Sequence, residues 1–381
     1  MGFAAGTVSF RRYRVTGKAP ASVEQATLDK LAEFQIQQSE FGLPDEVEIG
    51  WCGGRHIFDA AFTFENNVYA DAILFGLRVD TNKPPAEVRT AYQMMEEESA
   101  AGGRRGRDAK EAAKARLDED LRAGKFRRSK LVPMLWDVPG GALWTPAAPT
   151  LNDKLVELFE RTFELALEAQ GAGAAASRLL QHGGRRRDYE DLRPTRFVHG
   201  GGGEQARPDY PWTLKGVQSK DFLGNEFLLW LWHEVDAHGG QVKLDAGGDA
   251  NIVIEQVLDL DCAYGESGRD LLRSAAPAQM PEARDALRSG KVPRKMGLTM
   301  ESGGVVWRLA WSAESFALSG VKLPQIEEAE NPRVVFEERL ALLRQLCGAC
   351  DGLYETFLKL RTSSRWESAT SAIRKWIGAA R

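Results

Sequence analysis

In the stretch LVPMLWDVPGGALWT, residues 131–145, two short apolar segments flank a turn. Leu131–Trp136 and Ala142–Thr145 have the length and residue types of strands, and Asp137–Gly141 supplies the proline and glycines that turns favour. We therefore expect the two segments to pair. The next segment, Asp153–Ala169, has its apolar residues at the spacing of one helix face. This neighbourhood predicts an α+β protein with antiparallel sheets and helices.

The residues before this hairpin also alternate between strand and helix patterns. Ser22–Phe34 is predicted to be a helix, with Ser22 as its N-cap. Strands are predicted at Thr7–Val15, Ala60–Thr63 and Val68–Leu77. Pro84-Pro85 then ends the β-rich part. The segment Ala86–Lys130 is highly charged, and its pattern predicts two helices packed as a protruding arm.

The second half of the chain shows further helix and strand patterns. The run Phe227–Trp232 fits a strand or a buried helix, and the polar His233-Glu234 that follows favours the helix. Pro281–Ser289 is predicted to be a short helix and Pro332–Leu360 a long closing helix or a pair of helices, with strands at Ile252–Cys262 and Val305–Trp311. We expect four regions: an N-terminal region at 1–170, a Gly- and Arg-rich insertion or linker at 171–220, a C-terminal region at 221–362, and a tail at 363–381. Trp366 and Trp376 suggest that the tail is an amphipathic helix.

The composition is that of a globular chain, and the net charge of 381 residues is only -4. Nucleic-acid binding would therefore need a local basic surface. Met1–Phe10 lacks the basic start of an export signal, and the chain contains four cysteines, too few for a disulfide scaffold. We expect a cytoplasmic protein with reduced thiols. Cys347 and Cys350 lie in a helical pattern and are expected to be buried core residues.

The familiar catalytic motifs are not matched. His233-Glu234 resembles the start of a zinc-protease motif, but the next histidine is His238, one residue too far along the helix. The sequence has no G-x-S-x-G elbow. Its glycine pairs are not followed by the Lys-Ser or Lys-Thr of a phosphate-binding loop. We expect a protein that is not an enzyme and that has no cofactor and no metal site.

A metal-dependent nuclease is one alternative. Asp259 and Asp261 lie two apart on a predicted strand and therefore share a face, as the carboxylates of a metal site would. No third partner is visible in the sequence, so solvent-facing strand residues are the simpler interpretation.

The strongest charge signal lies between residues 104 and 130, where eleven basic and five acidic residues leave a local excess of +6. Such a contrast with the rest of the chain indicates an electrostatic face for DNA phosphates. The candidate DNA-binding residues here are Arg104, Arg105, Arg107, Lys110, Lys114, Arg116, Arg122, Lys125, Arg127, Arg128 and Lys130. A second, smaller basic group consists of Lys291, Arg294 and Lys295, which are also candidate DNA-binding residues. A third basic group is Arg185–Arg187. A solvated helical hairpin, or a scaffold that binds an acidic protein, would have the same charge pattern.

The order of these elements resembles the recombination-associated protein RdgC family of bacteria. The likeness covers about 1–170 and 222–362. In the first part it is carried by the opening strand Phe10–Val15, by Gly50-Trp51 after the first helix, and by the charged arm that leads back to a strand at Met134–Asp137. In the second part it is carried by Ala283–Val292, which leads to a strand start at Met296–Leu298, and by the closing helix from Phe336. The insertion at 171–220 and the tail have no counterpart in that family.

The resemblance implies a ring-shaped homodimer with a positively charged channel for double-stranded DNA. It also implies binding without sequence preference, competition with a RecA-type recombinase, and a place in the nucleoid. The family's arm ends in a Leu-Pro segment followed by an aromatic residue that closes the ring. Gly124–Arg128 occupies that place here, so Phe126 is the candidate residue at the dimer tip.

Overall fold

A computed structural model describes residues 2–36, 47–99, 106–146, 148–198, 210–212, 220–244, 248–263, 265, 267–326 and 331–379. The chain forms two compact bodies. The N-terminal body is Val15–Leu167, and the C-terminal body combines Met1–Arg14 with Glu168–Arg381. The first residues belong to the C-terminal body because Val8 and Phe10 pair with Val321 and Leu318.

The strands within these residues are β1 Val8–Thr16, β2 Val47–Cys52, β3 Val68–Tyr69, β4 Ala72–Asn82, β5 Arg127–Asp137, β6 Ala142–Thr145, β7 Ala166–Ala169, β8 Gln241–Lys243, β9 Asp249–Asp261, β10 Asp270–Leu272, β11 Val292–Ser302, β12 Val305–Ser312 and β13 Leu318–Lys322. The helices are α1 Gln25–Glu33, α2 Phe64–Asn67, α3 Ala86–Ser99, α4 Arg107–Arg122, α5 Asn152–Phe163, α6 Ala172–His182, α7 Arg186–Asp191, α8 Phe222–Ala237, α9 Pro281–Arg288, α10 Pro332–Arg361 and α11 Trp366–Gly378. The α+β class is confirmed.

The N-terminal body is built on an antiparallel sheet in the order β2-β4-β5-β6, with β3 on β4. The predicted β5–β6 hairpin is confirmed, with Trp136 opposite Leu143. Trp136 packs edge-on against Phe159 and Phe163 of α5, at ring distances of 5.3 and 4.8 Å. The apolar face of α5 and the inner face of the sheet therefore bury one another.

In the C-terminal body the sheet order is β10-β9-β11-β12-β13-β1, with β8 on β9. Helix α8 is predominantly apolar and is buried on all sides from Phe222 to Trp232, so it forms the centre of this core. Phe227 contacts the rings of Trp311 and Tyr354 at 5.0 and 5.4 Å. The predicted closing helix is confirmed as the single helix α10.

Several element boundaries differ from the sequence predictions. Helix α1 is shorter than predicted, and its N-cap position is Glu24, so Ser22 is not the cap. Residues 60–63 form no strand, since Thr63 instead caps α2 by accepting the Asn66 N–H. The strand predicted at Val68–Leu77 is divided by a turn with positive φ at Ala70 and Asp71. The helix predicted to reach Ala169 ends at Phe163, where the left-handed Glu164 stops it.

The predicted insertion begins with ordered structure. Helices α6 and α7 occupy much of residues 172–191, and Ala172, Ala176 and Leu180 are buried. The Arg185 guanidinium donates to the Thr362 carbonyl oxygen at 2.9 Å, which ties this segment to the end of α10. Residues 199–209 and 213–219 lie outside the described residues. The predicted tail helix is confirmed as α11, which buries Ile373 and Ile377.

Among the residues that the structure covers, no helix combines the length and the apolar character needed to cross a membrane.

Candidate nucleic-acid interface

Helices α3 and α4, which contain much of the predicted basic arm, pack against each other through Tyr92. Its hydroxyl donates a hydrogen bond to Asp120 and accepts one from the Lys125 ammonium at 3.1 Å. The Arg116 guanidinium lies 4.6 Å from the Tyr92 ring centre, within the range of a cation–π contact. Two of the predicted DNA-binding cations therefore stabilise the helix pair from within.

The electrostatics of Asp120 follow from these contacts. Its hydrogen bond from Lys125, 2.8 Å long, is the largest influence lowering the pKa of the carboxyl group. The same bond raises the pKa of Lys125. Each group stabilises the charged form of the other, so the positive charge of Lys125 already has a partner within the chain.

Basic and acidic residues balance within α4 itself. The helix holds five of each, and α3 adds four glutamates against the single Arg89. In contrast, residues 121–136 contain no acidic side chain and five basic ones. These are Arg122, Lys125, Arg127, Arg128 and Lys130. Arg122 is also the last residue of the balanced helix α4, so the excess charge of the predicted arm resides in the other four cations of this segment and in Arg104 and Arg105, which lie outside the described residues.

Strand β5 separates its cations by face. Arg128 and Lys130 are exposed and two apart, so they share one face, and Arg127 and Ser129 take the other. Neither Arg128 nor Lys130 forms an ion pair with any described residue. Their charge is therefore available to an external anion.

A buried asparagine brings further cations to this end of the strand. The Asn82 amide donates to the Leu121 carbonyl oxygen at 2.7 Å, next to Arg122, and Asn82 stands opposite Arg127 in the β4–β5 register. Lys83 follows Asn82 directly and is exposed. We call Lys83, Arg122, Arg128 and Lys130 the basic strand end. Lys83 was not predicted from the sequence, because only the strand register places it beside the basic segment.

Arg127 has a different role from its neighbours. Its guanidinium lies 2.7 Å from Asp80 and 3.5 Å from Glu48, and Arg78 also donates to Asp80, at 2.9 and 2.8 Å. Burial acts to raise the pKa of Asp80, but the hydrogen bonds from Arg78, Ser129 and Arg127 outweigh it, so the pKa is lowered. Arg127 thus belongs to a network of ion pairs on the sheet, together with Arg78, Asp80 and Glu48.

The remaining arm cations lie on α4. Arg107 is highly exposed and pairs with Glu111 at 3.2 Å, and Arg116 lies 3.7 Å from Glu96. Lys110 and Lys114 are exposed on one side of the helix and form no ion pair with a described residue. These two lysines are the helical part of a possible phosphate surface.

The second predicted basic group lies in the C-terminal body, and its charges are largely matched. Lys291 lies 2.5 Å from Asp270, and Arg294 lies 3.0 Å from Glu314. The Arg294 guanidinium also stacks 4.1 Å from the Trp212 ring centre. Lys295 is half-buried on β11. Of the third group, Arg186 pairs with Glu190 at 2.9 Å.

The carboxylates proposed for a nuclease have other partners. Asp259 is buried and accepts two hydrogen bonds from Arg269, at 2.7 and 2.5 Å. Asp261 accepts the Cys262 N–H at 2.9 Å. The described residues contain no group of three or more His, Cys, Asp or Glu side chains suited to a metal ion. Asp259 is better explained as the buried half of an ion pair.

The other motif residues belong to the packing of the C-terminal body. His233 and His238 both place Nδ1 3.2 Å from the Glu234 carboxylate. Cys347 and Cys350 are buried thiols, as predicted. Burial raises the pKa of Cys350, which keeps that thiol protonated and unreactive.

Phe126, the candidate tip residue, is half-buried in the N-terminal body. The Lys125 ammonium lies 5.9 Å from its ring centre. Its role in a dimer stays a prediction.

No protein-family model matches the chain, and no curated protein is significantly similar to it.

Proposed function

We propose that this chain binds double-stranded DNA without sequence preference and without catalysis. The observation that carries the proposal is the segment 121–136, which has five basic residues and no acidic one. Arg122, Arg128 and Lys130 of this segment are exposed and form no ion pair with a described residue. Unpaired cations on a local surface suit the regular negative charge of a DNA backbone.

The mode of binding follows from the kind of side chain involved. Lysine and arginine that meet phosphates release bound counterions, and each phosphate neutralised adds about -0.9 to the slope of log affinity against log salt. Such contacts position a duplex but do not read its bases. Lys110 and Lys114 of α4 would extend the phosphate surface from the basic strand end along the charged arm.

The larger assembly rests on the resemblance to the RdgC family. We propose a ring-shaped homodimer that encloses duplex DNA, with Phe126 at the tip contact. A protein that covers duplex DNA competes with a RecA-type recombinase for it, and it would act in the nucleoid. The order of the helix pair, the basic segment and the hairpin strand supports this part of the proposal.

A salt titration with random-sequence duplex DNA tests the proposal. We expect retention at low salt that falls steeply as salt rises. Replacing Arg128 and Lys130 together by glutamate should weaken binding about 100-fold on every sequence, since two phosphate contacts become repulsive. The matched control is Lys243→Glu with Lys375→Glu, which changes the charge equally at exposed positions of the C-terminal body.

Two outcomes would contradict the proposal. Absence of retention at low salt would instead favour an acidic protein partner. Equal losses for the strand variant and its control would show that net charge, rather than this surface, governs binding. Sizing of the free protein tests the dimer separately, because a monomer would exclude the ring and leave the phosphate surface standing.

A further inference from the structure

Asn82 is a buried polar residue at the last position of β4, with 7% of its surface exposed. Its side-chain amide donates to the Leu121 carbonyl oxygen at 2.7 Å, and its Oδ1 atom is buried with no hydrogen-bond partner among the described residues. A buried acceptor without a donor is unfavourable, and an apolar residue would avoid it. The benefit of an asparagine at this position therefore lies in the hydrogen bond that it donates to Leu121.

The Leu121 carbonyl oxygen belongs to the turn that joins α4 to β5. This oxygen also accepts the Gly124 N–H at 2.9 Å, and the Asp120 carbonyl oxygen accepts the Lys125 N–H at 3.0 Å. With Gly124 in the left-handed region, at a φ of 71°, the two bonds form the Schellman motif that ends many helices. The Asn82 amide therefore joins the end of β4 to the end of α4.

Asn82 contacts the chain one residue away from three of the four cations of the basic strand end. Lys83 follows it directly, and Arg122 follows the residue that its amide holds. Asn82 also stands opposite Arg127 in the strand register, and Arg128 comes next on β5. The β4–β5 ladder places Arg128, but Arg122 lies on the helix and outside this ladder. The hydrogen bond from Asn82 therefore fixes the backbone at Arg122 beside the strand cations.

We propose that Asn82 is a positioning residue for DNA binding, because it holds the backbone at Arg122 where the guanidinium meets the same duplex as the strand cations. The Arg122 side chain is exposed and forms no ion pair with a described residue, so its backbone decides where its charge can lie. Cations that are placed in advance lose less freedom when they meet a regular array of phosphates. The inference rests on the proposed DNA binding and assigns a buried, uncharged residue to it.

The experiment is a double-mutant cycle on random-sequence duplex DNA, with affinity measured over a series of salt concentrations. Arg122→Ala should weaken binding about fivefold and make the slope of log affinity against log salt shallower by about 0.9, since one phosphate contact is lost. Asn82→Ala should show most of both effects. The double variant should bind no more weakly than Arg122→Ala alone, because both changes remove the same contact.

The matched control is Asn67→Ala. Asn67 is fully buried in the same body, and its amide donates to the Gly53 and Leu74 carbonyl oxygens, each at 2.8 Å. Its loss should lower the free energy of unfolding at least as much as Asn82→Ala does, since two hydrogen bonds are removed. Affinity and salt slope should stay unchanged, because these bonds lie away from the basic strand end. A role of Asn82 in stability alone would give the two variants the same binding.

A measurement on the unaltered protein covers the case in which Asn82→Ala does not fold. In NMR spectra, the signals of the Asn82 side-chain amide and of the Arg122 Nε–H should shift together as duplex DNA is added, whereas the Asn67 amide signals should not move. Signals of Asn82 and Arg122 that stay in place in the bound protein would overturn the inference.

The outcomes separate this inference from the proposed function. If Arg122→Ala weakens binding and Asn82→Ala does not, or if the two losses add, the positioning assignment is wrong. It is also wrong if Arg122→Ala has no effect while the unaltered protein binds, and the proposed function then stands on Arg128 and Lys130. If the unaltered protein does not bind duplex DNA at low salt, the proposed function has failed, and this inference fails with it.

Discussion

Helix α4 carries five cations and strand β5 carries three, and the two elements use them differently. Along α4, five basic residues alternate with five acidic ones, and neighbours three or four apart form pairs such as Arg107 with Glu111. Along the first half of β5, the strand period places Arg127 in an ionic network and leaves Arg128 and Lys130 facing outward. The helix largely neutralises its own charge, whereas the strand presents its charge to solvent.

The difference teaches that a charge count over a window is a poor measure of a binding surface. The window 104–130 has an excess of +6, yet its long helix contributes no net charge. What matters is whether each cation has a carboxylate within reach in the folded chain. By this measure the basic strand end is the stronger candidate and α4 the weaker one.

The largest effect is expected where a strand cation is held internally. Replacing Asp80 by alanine leaves the Arg78 and Arg127 guanidinium groups close together without the carboxylate that joins them. We expect the free energy of unfolding to fall by about 3 kcal/mol, since an uncompensated buried charge is costly. Urea denaturation would measure it. Asp120→Ala, at a half-buried position of α4, is the comparison, and an equal loss there would break the distinction between strand and helix.

The second largest effect is the difference in duplex binding between charge-reversal variants of α4 and of β5. Lys110→Glu with Lys114→Glu should weaken duplex binding about tenfold, against the roughly 100-fold expected for the strand pair Arg128 and Lys130. The helix effect is smaller because Asp108, Glu111 and Asp118 already reduce the local potential. Fluorescence anisotropy at one fixed salt concentration gives both values. A larger loss for the helix pair would make the arm, and not the strand end, the main contact.

Much of the fold could be predicted from periodicity, because long amphipathic or alternating segments leave few alternatives. The β5–β6 hairpin, α8 and α10 were predicted from pattern and are confirmed. Some predicted element boundaries were wrong because the conformation of one or two residues ends the element. Glu164 ends α5 in the left-handed region, and nothing in a glutamate announces that conformation.

The candidate site could be predicted only in outline. The sequence locates the basic residues, but partners such as Asp80 for Arg127 and Glu314 for Arg294 are distant along the chain. Lys83 and the pairing of Lys125 with Asp120 were both missed for the same reason, since register and packing decide them.

The smallest effect is a difference in acid sensitivity between the two regions. The pKa values of Asp80 and Asp120 are both lowered in the folded protein. Each carboxylate therefore adds stability above its unfolded pKa of about 4, and that stability is lost as the pH falls through the folded value. Asp80 is buried, whereas Asp120 is only half-buried and therefore more open to screening, so Asp80→Asn should flatten the decline of unfolding free energy below about pH 4 more than Asp120→Asn does. Urea denaturation across this pH range measures the slopes. Equal slopes in the two variants would mean that the strand network is no better shielded from solvent than the helix pair.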